Sequence, residues 1–351
     1  VAAILEPFQI VDMRPALPPG HPTLAEDRIG VLLLNLGTPD GTDYWSMRRY
    51  LSEFLSDRRV IETNPLIWQP ILQGIVLSTR PQASGENYAR IWDREHNASP
   101  LRVITRSQTD KLQARMGDQV LVDFAMRYGN PTVASRLEAL HKAGCHRILL
   151  VPLYPQYSAT TTATANDQAF RALANMRWQP AVRTVPAYFA EDFYVEALAK
   201  SLADGVAALD FEPDLILVSY HGMPQSYLEK GDPYHCQCLK TTRLVREKLG
   251  WPAERLMNTF QSRFGPAEWL KPYTADTLEA LPKQGVKKVA VIAPAFSADC
   301  IETLEEIAIT GREQFEHAGG EKYAYIPCLN DTELGMDMIE ALVRKELGGW
   351  L

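Results

Sequence analysis

Asp214-Leu215-Ile216-Leu217-Val218 runs without a break into Ser219-Tyr220-His221-Gly222-Met223-Pro224. A short apolar run closed by Gly and Pro reads as a buried parallel strand. A second run, Val289-Ala290-Val291-Ile292-Ala293, is followed by Asp299-Cys300-Ile301-Glu302-Thr303-Leu304-Glu305-Glu306. In open α/β sheets, ligands bind beyond the carboxyl ends of the strands. One histidine and a carboxylate cluster are therefore expected at the same edge. A neutral imidazole facing carboxylates can hold a divalent metal and can take protons from a ligand.

The same strand–loop–helix rhythm extends in both directions. Strands are expected at Ile29–Asn35, Val120–Met126, Arg147–Leu153, Val182–Pro186, Leu256–Thr259 and Lys288–Ala293. Helices are expected at Asp43–Leu55, Thr132–Ala143, Phe193–Ala208, Gln237–Leu249, Tyr273–Leu281, Ile301–Ala318 and Asp331–Leu347, with Gly144 as a stop signal. Alternating strands and helices imply α/β architecture: two doubly wound domains with parallel sheets and an active-site cleft between them. The expected division is an irregular N-terminal arm (1–28), domain I (29–152 with a C-terminal helix in 324–351) and domain II (153–323).

The chain has 351 residues, 46% hydrophobic, enough for a large core divided over two domains. Its net charge is −7, and no basic stripe suggests a nucleic-acid partner. The five cysteines are odd in number and scattered, which argues against a disulfide framework and for a reducing compartment. Cys236-Gln237-Cys238 is the one close pair and, without a second pair, is read as structural. The proline-bearing N-terminus has no signal-peptide pattern, and no apolar run is long enough to span a bilayer.

Leu66-Ile67-Trp68-Gln69-Pro70-Ile71-Leu72-Gln73-Gly74-Ile75-Val76-Leu77 stands apart. A buried helix and an exposed apolar lip for a greasy ligand or a membrane surface both fit it. On the later helix, Glu302 and Glu306 lie four apart on one face and Asp299 three before Glu302, while Glu305 turns aside. Acidic residues there also suit a helix N-terminus, with Asp299 as a candidate N-cap. Two like charges on one face raise one carboxyl pKa, which suits proton acceptance. Other strand ends offer Tyr157 and Ser158, Arg127 and Tyr128, and Gln261, Ser262 and Arg263. No GxGxxG follows the first strand, and neither a P-loop nor a GxSxG elbow occurs.

Leu34-Asn35-Leu36-Gly37-Thr38-Pro39, Tyr154-Pro155-Gln156-Tyr157-Ser158, Ser219-Tyr220-His221-Gly222-Met223-Pro224, Phe260-Gln261-Ser262-Arg263-Phe264-Gly265-Pro266 and Asp299-Cys300-Ile301-Glu302-Thr303-Leu304 together resemble the ferrochelatase family. The resemblance runs in order from Ile29 to the C-terminus. It implies two Rossmann-like domains and insertion of ferrous iron into protoporphyrin IX, giving protohaem with release of two protons. It also implies His221 and Glu302 as catalytic and metal-handling groups, with Asp299 and Glu306 as a proton or metal path. Leu36, Tyr88, Ser99, Arg127, Tyr128, Tyr157 and Trp269 become porphyrin-binding residues. The segment 66–77 becomes a lip for peripheral contact with the inner membrane of a cytoplasmic protein.

Some members of the family carry a [2Fe–2S] cluster. Here Ala159 stands where their internal cluster cysteine is, and Leu351 ends the chain without their cysteine-bearing tail. No cluster and no resident cofactor is expected, with Fe2+ as substrate. A cobalt chelatase of the same fold, a coproporphyrin substrate and a non-catalytic metal or haem carrier remain alternatives at this point.

Overall fold

The computed structural model describes residues 27–351. The expected arm therefore lies outside the described residues apart from its last two positions. β1 (Arg28–Thr38), β2 (Val120–Gly129), β3 (Cys145–Pro152) and β4 (Ala181–Thr184) form a parallel sheet in the order β2-β1-β3-β4. β5 (Leu215–His221), β6 (Leu256–Gln261), β7 (Lys288–Ile292) and β8 (Lys322–Ile326) form a second, in the order β6-β5-β7-β8. In each sheet the strand order reverses beside an inner strand, β1 or β5, which places a crevice at its carboxyl end.

Both sheets are buried on both faces, as apolar parallel strands require. Along β1, Val31 and Leu33 enter one core while Leu32 and Leu34 enter another. Along β5, Ile216 and Val218 join the first of these cores and Leu217 a third. The core shared by the two sheets also takes Leu198 and Leu202 from helix Asp192–Ala207, and Met336 and Ile339 from helix Glu333–Glu346. That shared core fixes the two strand-end edges relative to each other.

The domain boundary differs from the sequence expectation. β4 pairs with β3 from Arg147↔Ala181 to Leu150↔Thr184. Helix Thr164–Ala174 packs Ala165, Ala169 and Leu173 against Leu32 and Leu34. The chain therefore crosses after Thr184 and not near Pro152. An open β3 edge recruits a four-residue strand too short to announce its partner. β8 likewise belongs to the second sheet, beside β7, so the return to the first domain follows it.

The sequence reading has no helix at Pro100–Met116, yet the chain forms one. Its buried side includes Thr105, Gln108 and Thr109, which weakens the apolar stripe. The expected helix Ile301–Ala318 is a composite: an α-turn at Ile301–Thr303, a π-helix at Leu304–Gly311 and an α-helix at Arg312–His317. Gly311 permits this winding against β8, because a Cβ there would lie 2.9 Å from the Tyr323 hydroxyl.

Candidate functional site

β5 carries His221 to the second sheet's carboxyl edge, and the backbone beyond it is tightly packed. A Cβ on Gly222 would lie 2.5 Å from the Gln261 carbonyl and 3.1 Å from the Trp269 ring, so only glycine fits. The His221 Nδ1 lies 2.7 Å from the Gly222 carbonyl oxygen. A carbonyl can only accept, so Nδ1 carries the hydrogen. In the neutral ring Nε2 is then left as a free base and metal donor.

β6 ends beside it and supplies the frame for the carboxylates. Ser219 Oγ donates to Gln261 Oε1 at 2.8 Å, which turns the Gln261 amide nitrogen toward the Glu302 carbonyl at 2.7 Å. Ser262, at φ 64° in the left-handed region, donates its backbone N–H to Glu306 Oε1 at 2.6 Å and its hydroxyl to Oε2 at 2.5 Å. A non-glycine residue in this region costs energy and marks a local constraint. Here the constraint is a two-point grip on one carboxylate.

Burial pushes the Glu306 carboxyl above the ordinary glutamate range; the Ser262 bonds and the charge of His221 pull it down, and the neighbouring Glu302 charge adds to the rise. Glu306 thus sits in one electrostatic neighbourhood with both groups. The charge of Glu302 also reaches Tyr88 and Tyr50, whose phenols are raised chiefly by burial. Among the described residues, no N–H or hydroxyl donor engages the Glu302 carboxylate, whose side-chain neighbour is the buried Cys300 thiol. The described residues also contain no group of three His, Cys, Asp or Glu side chains poised to hold a metal ion.

Asp299 stands differently. It precedes the helix, whose N-cap is Cys300. Its Oδ1 accepts from Thr303 Oγ1 at 2.8 Å and from the Tyr325 hydroxyl at 2.6 Å, and its Oδ2 from Asn330 Nδ2 at 2.6 Å. Its backbone N–H donates to Asn330 Oδ1 at 2.7 Å. At 5% exposure this carboxylate pins the helix start to β8 and the following loop.

Arg127 and Tyr128 lie at the first sheet's edge but face inward. Arg127 is 6% exposed and Tyr128 fully buried. The Arg127 guanidinium donates to Asp57 and to Thr164 Oγ1, and the Tyr128 hydroxyl donates to Asp57 Oδ2 at 2.8 Å. Arg127 also lies 4.2 Å from the Tyr128 ring centroid. Burial opposes ionisation of Asp57, but bonds from Thr164, the Arg59 N–H and Tyr128, with the Arg127 charge, outweigh it and hold the carboxyl low. These two residues therefore brace the wall from behind, because their polar atoms are spent on Asp57. Asp57 sits in the charged run Ser56-Asp57-Arg58-Arg59, which reads as a solvent loop.

The remaining expected residues divide. Leu36, Tyr88 and Tyr128 meet Ile301 in one apolar cluster, which brings Leu36 and Tyr88 beside Glu302. Tyr157 is half-buried at the end of β3, its N–H donating to Gln237 Oε1 at 2.7 Å. Trp269 packs edge-on against Phe264 at 4.9 Å, with its indole N–H buried and unpartnered. Ser99 is engaged within the fold. At 1% exposure it is the N-cap of helix Pro100–Met116, its hydroxyl accepting from the Arg102 N–H at 3.3 Å.

The segment 66–77 resolves its two readings. Leu72 and Leu77 are buried, but Leu66 is 85%, Ile67 60% and Ile75 62% exposed. Trp68 is turned inward, its indole donating to the Leu55 carbonyl at 2.6 Å. The result is an apolar lip with an anchored root. No helix among the described residues is long and apolar enough to cross a membrane.

The ferrochelatase family model matches residues 28–347. A ferrochelatase of Allorhizobium ampelinum is 61% identical over 337 residues, covering 95% of this chain and 98% of that protein. One from Rhizobium meliloti is 61% identical over 333 residues, covering 94% of this chain and 98% of that protein. Among solved structures, SirB from Bacillus subtilis with Fe3+ superposes with a TM-score of 0.55 at 10% identity, covering 91% of this chain and 95% of that one. At that identity the likeness speaks for the chelatase fold alone.

Proposed function

We infer that this chain, which belongs to the ferrochelatase family and inserts ferrous iron into protoporphyrin for haem synthesis, does so with His221 and Glu302 at the ring centre. The observation that carries this assignment is the bond from His221 Nδ1 to the Gly222 carbonyl, which leaves Nε2 free at the end of β5.

Protoporphyrin IX holds two pyrrole N–H hydrogens, and both leave as protons when Fe2+ enters. Nε2 of His221 is a base with its orientation already fixed. The carboxylate of Glu302 is an anion for the incoming dication and a second proton acceptor. Glu306 is next in line: its raised pKa makes it a competent acceptor, and Ser262 holds it still. Asp299 supports this path by fixing the start of the helix. A flat macrocycle shields its nitrogens, so contacts along Leu36, Tyr88 and Trp269 would favour a bent ring and direct binding energy into distortion.

Anaerobic incubation of the pure protein with protoporphyrin IX and ferrous iron, followed by loss of free-porphyrin fluorescence, tests the assignment. Multiple turnovers are expected for the wild type and a rate about a thousandfold lower for His221→Ala. Iron insertion by His221→Ala at the wild-type rate would remove the histidine from the chemistry.

Two further readings rest on separate residues. The exposed Leu66, Ile67 and Ile75, around the anchored Trp68, support peripheral contact with the inner membrane. Ala159, at the position where iron–sulfur members of the family have a cysteine, supports a protein without a [2Fe–2S] cluster. Iron–sulfur charge-transfer absorption in freshly purified protein would overturn that second reading.

A further inference from the structure

Helix Leu77–Ile91 begins in the apolar lip of the first domain and ends beside the carboxylate helix of the second. Its last turn carries Arg90, whose guanidinium donates to Glu305 Oε1 at 2.6 Å and to Glu313 Oε1 at 2.7 Å. The two acceptors are unlike. The Glu313 side chain is 62% exposed, while that of Glu305 is 8% exposed. Thr310 Oγ1 also donates to Glu305 Oε1, at 3.0 Å.

Glu305 and Thr310 are five residues apart. In an α-helix that spacing directs two side chains apart, whereas the i→i+5 winding of a π-helix stacks them. The Arg90–Glu305–Thr310 constellation therefore fits the π winding of Leu304–Gly311 and not the α alternative. The preceding turn is gripped from the other side, where Gln261 holds the Glu302 carbonyl and Ser262 holds the Glu306 carboxylate. Glu305 and Glu306 are adjacent, so the winding that buries one against Arg90 aims the other at Ser262 and His221.

We propose that Arg90 is a positioning residue for metal insertion: by holding Glu305 it fixes the π winding that presents Glu302 and Glu306 to His221. This rests on the reading of the site given above. Without Arg90 the Glu305 carboxylate is a buried charge lacking its cation, a costly state. Rotation of the turn toward solvent relieves it and carries Glu306 out of the Ser262 grip. Small misplacements of reacting groups are expensive in rate.

The test uses the full chain, ferrous iron and protoporphyrin IX, with wild type, Arg90→Ala, Arg90→Lys, Glu305→Gln and Glu313→Gln assayed in parallel. Arg90→Ala should lower kcat about tenfold to a hundredfold, with porphyrin KM and porphyrin affinity by fluorescence titration changed less than about threefold. The acid limb of its pH–rate profile should move, because Glu306 loses its fixed neighbours. Arg90→Lys should recover most of the rate by restoring the cation. Glu305→Gln should resemble Arg90→Ala, and the double variant should be no worse than either single one. Glu313→Gln, which removes only the exposed arm, should stay within about twofold of wild type.

Wild-type kcat and pH profile in Arg90→Ala would overturn the proposal, as would a porphyrin KM that rises while kcat holds, which would make Arg90 a substrate contact. Should Arg90→Ala fail to fold, a Glu305→Gln that folds and keeps the wild-type pH profile would overturn it equally. Absence of turnover in the wild type would instead overturn the assignment of the reaction.

Discussion

Both sheets end in ionisable groups carried to the edge of the crevice, and the two edges use them in opposite ways. At the first sheet, Arg127, Tyr128, Thr164 and Asp57 close a ring of hydrogen bonds around one carboxylate. At the second, His221 keeps Nε2 unspent and Glu302 meets no N–H or hydroxyl donor, only the weak Cys300 thiol, while Gln261 and Ser262 hold the carbonyl of Glu302 and the carboxylate of Glu306. A place at a strand's carboxyl end is therefore no mark of chemistry on its own. The mark is a valence left open on a side chain whose other contacts are fixed.

Removing the open valence gives the largest test of this contrast. His221→Ala should lower turnover about a thousandfold, in the range expected for loss of a positioned proton acceptor. Thermal stability should change little, since the half-buried imidazole makes one hydrogen bond, to its own neighbour. A large stability loss with modest rate loss would mean that His221 belongs to the closed kind of edge.

The converse experiment is Asp57→Ala. It strands the buried Arg127 guanidinium and should cost about 3–5 kcal/mol of stability. Activity per folded molecule should fall far less than in His221→Ala. A rate loss matching that of His221→Ala, with intact stability, would place the Asp57 ring in the chemistry.

The sequence made one of these edges legible and hid the other. His221 closes a short apolar strand, and Glu302 and Glu306 lie on the helix that follows another, so strand-end position and helical spacing bring them together. Asp57 sits in a polar loop, and its partners Arg127 and Thr164 are 70 and 107 residues away; only the folded chain shows that the Asp57 carboxylate turns inward from an otherwise exposed loop. The capping role of Ser99 is hidden because a helix with Thr105 and Gln108 inside lacks the apolar stripe that would reveal its start. The π winding was invisible for a related reason. Glu305 and Thr310 are five apart and meet in the π winding, and the cation on Glu305, Arg90, comes from 215 residues away. The short strand β4 is legible as a strand but not as a partner of β3, since nothing in four residues names a neighbour.

Glu306 lies between the two kinds of edge, held by Ser262 and yet electrostatically coupled to the site. Its carboxyl is raised in the folded protein, so the fold favours its protonated form. The stabilising share is full below the ordinary glutamate value of 4.5 and is lost as pH rises through the folded value. Denaturant titrations across that window should show wild type losing stability relative to Glu306→Gln as pH increases. The acid limb of the pH–rate profile should flatten in the same variant. A stability difference that is constant with pH would show that Ser262 fully offsets burial.

The smallest effect on fold and rate is expected at the lip, where the first edge extends toward solvent. Leu66 and Ile67 are mostly exposed, so Leu66→Asp with Ile67→Asp removes little buried surface and should shift stability by less than about 0.5 kcal/mol per site. Turnover with detergent-dispersed protoporphyrin should stay within about twofold of wild type, because neither residue touches the groups at the strand ends. Sedimentation with lipid vesicles should be lost, since two carboxylates now occupy the face that would enter the interface. Trp68 is the wrong probe for this purpose: its indole donates to the Leu55 carbonyl, and replacing it would loosen the root of the lip along with its surface. Undiminished vesicle binding by the double aspartate variant would mean that the exposed lip serves the porphyrin and not the membrane, and turnover would then fall with a rise in porphyrin KM.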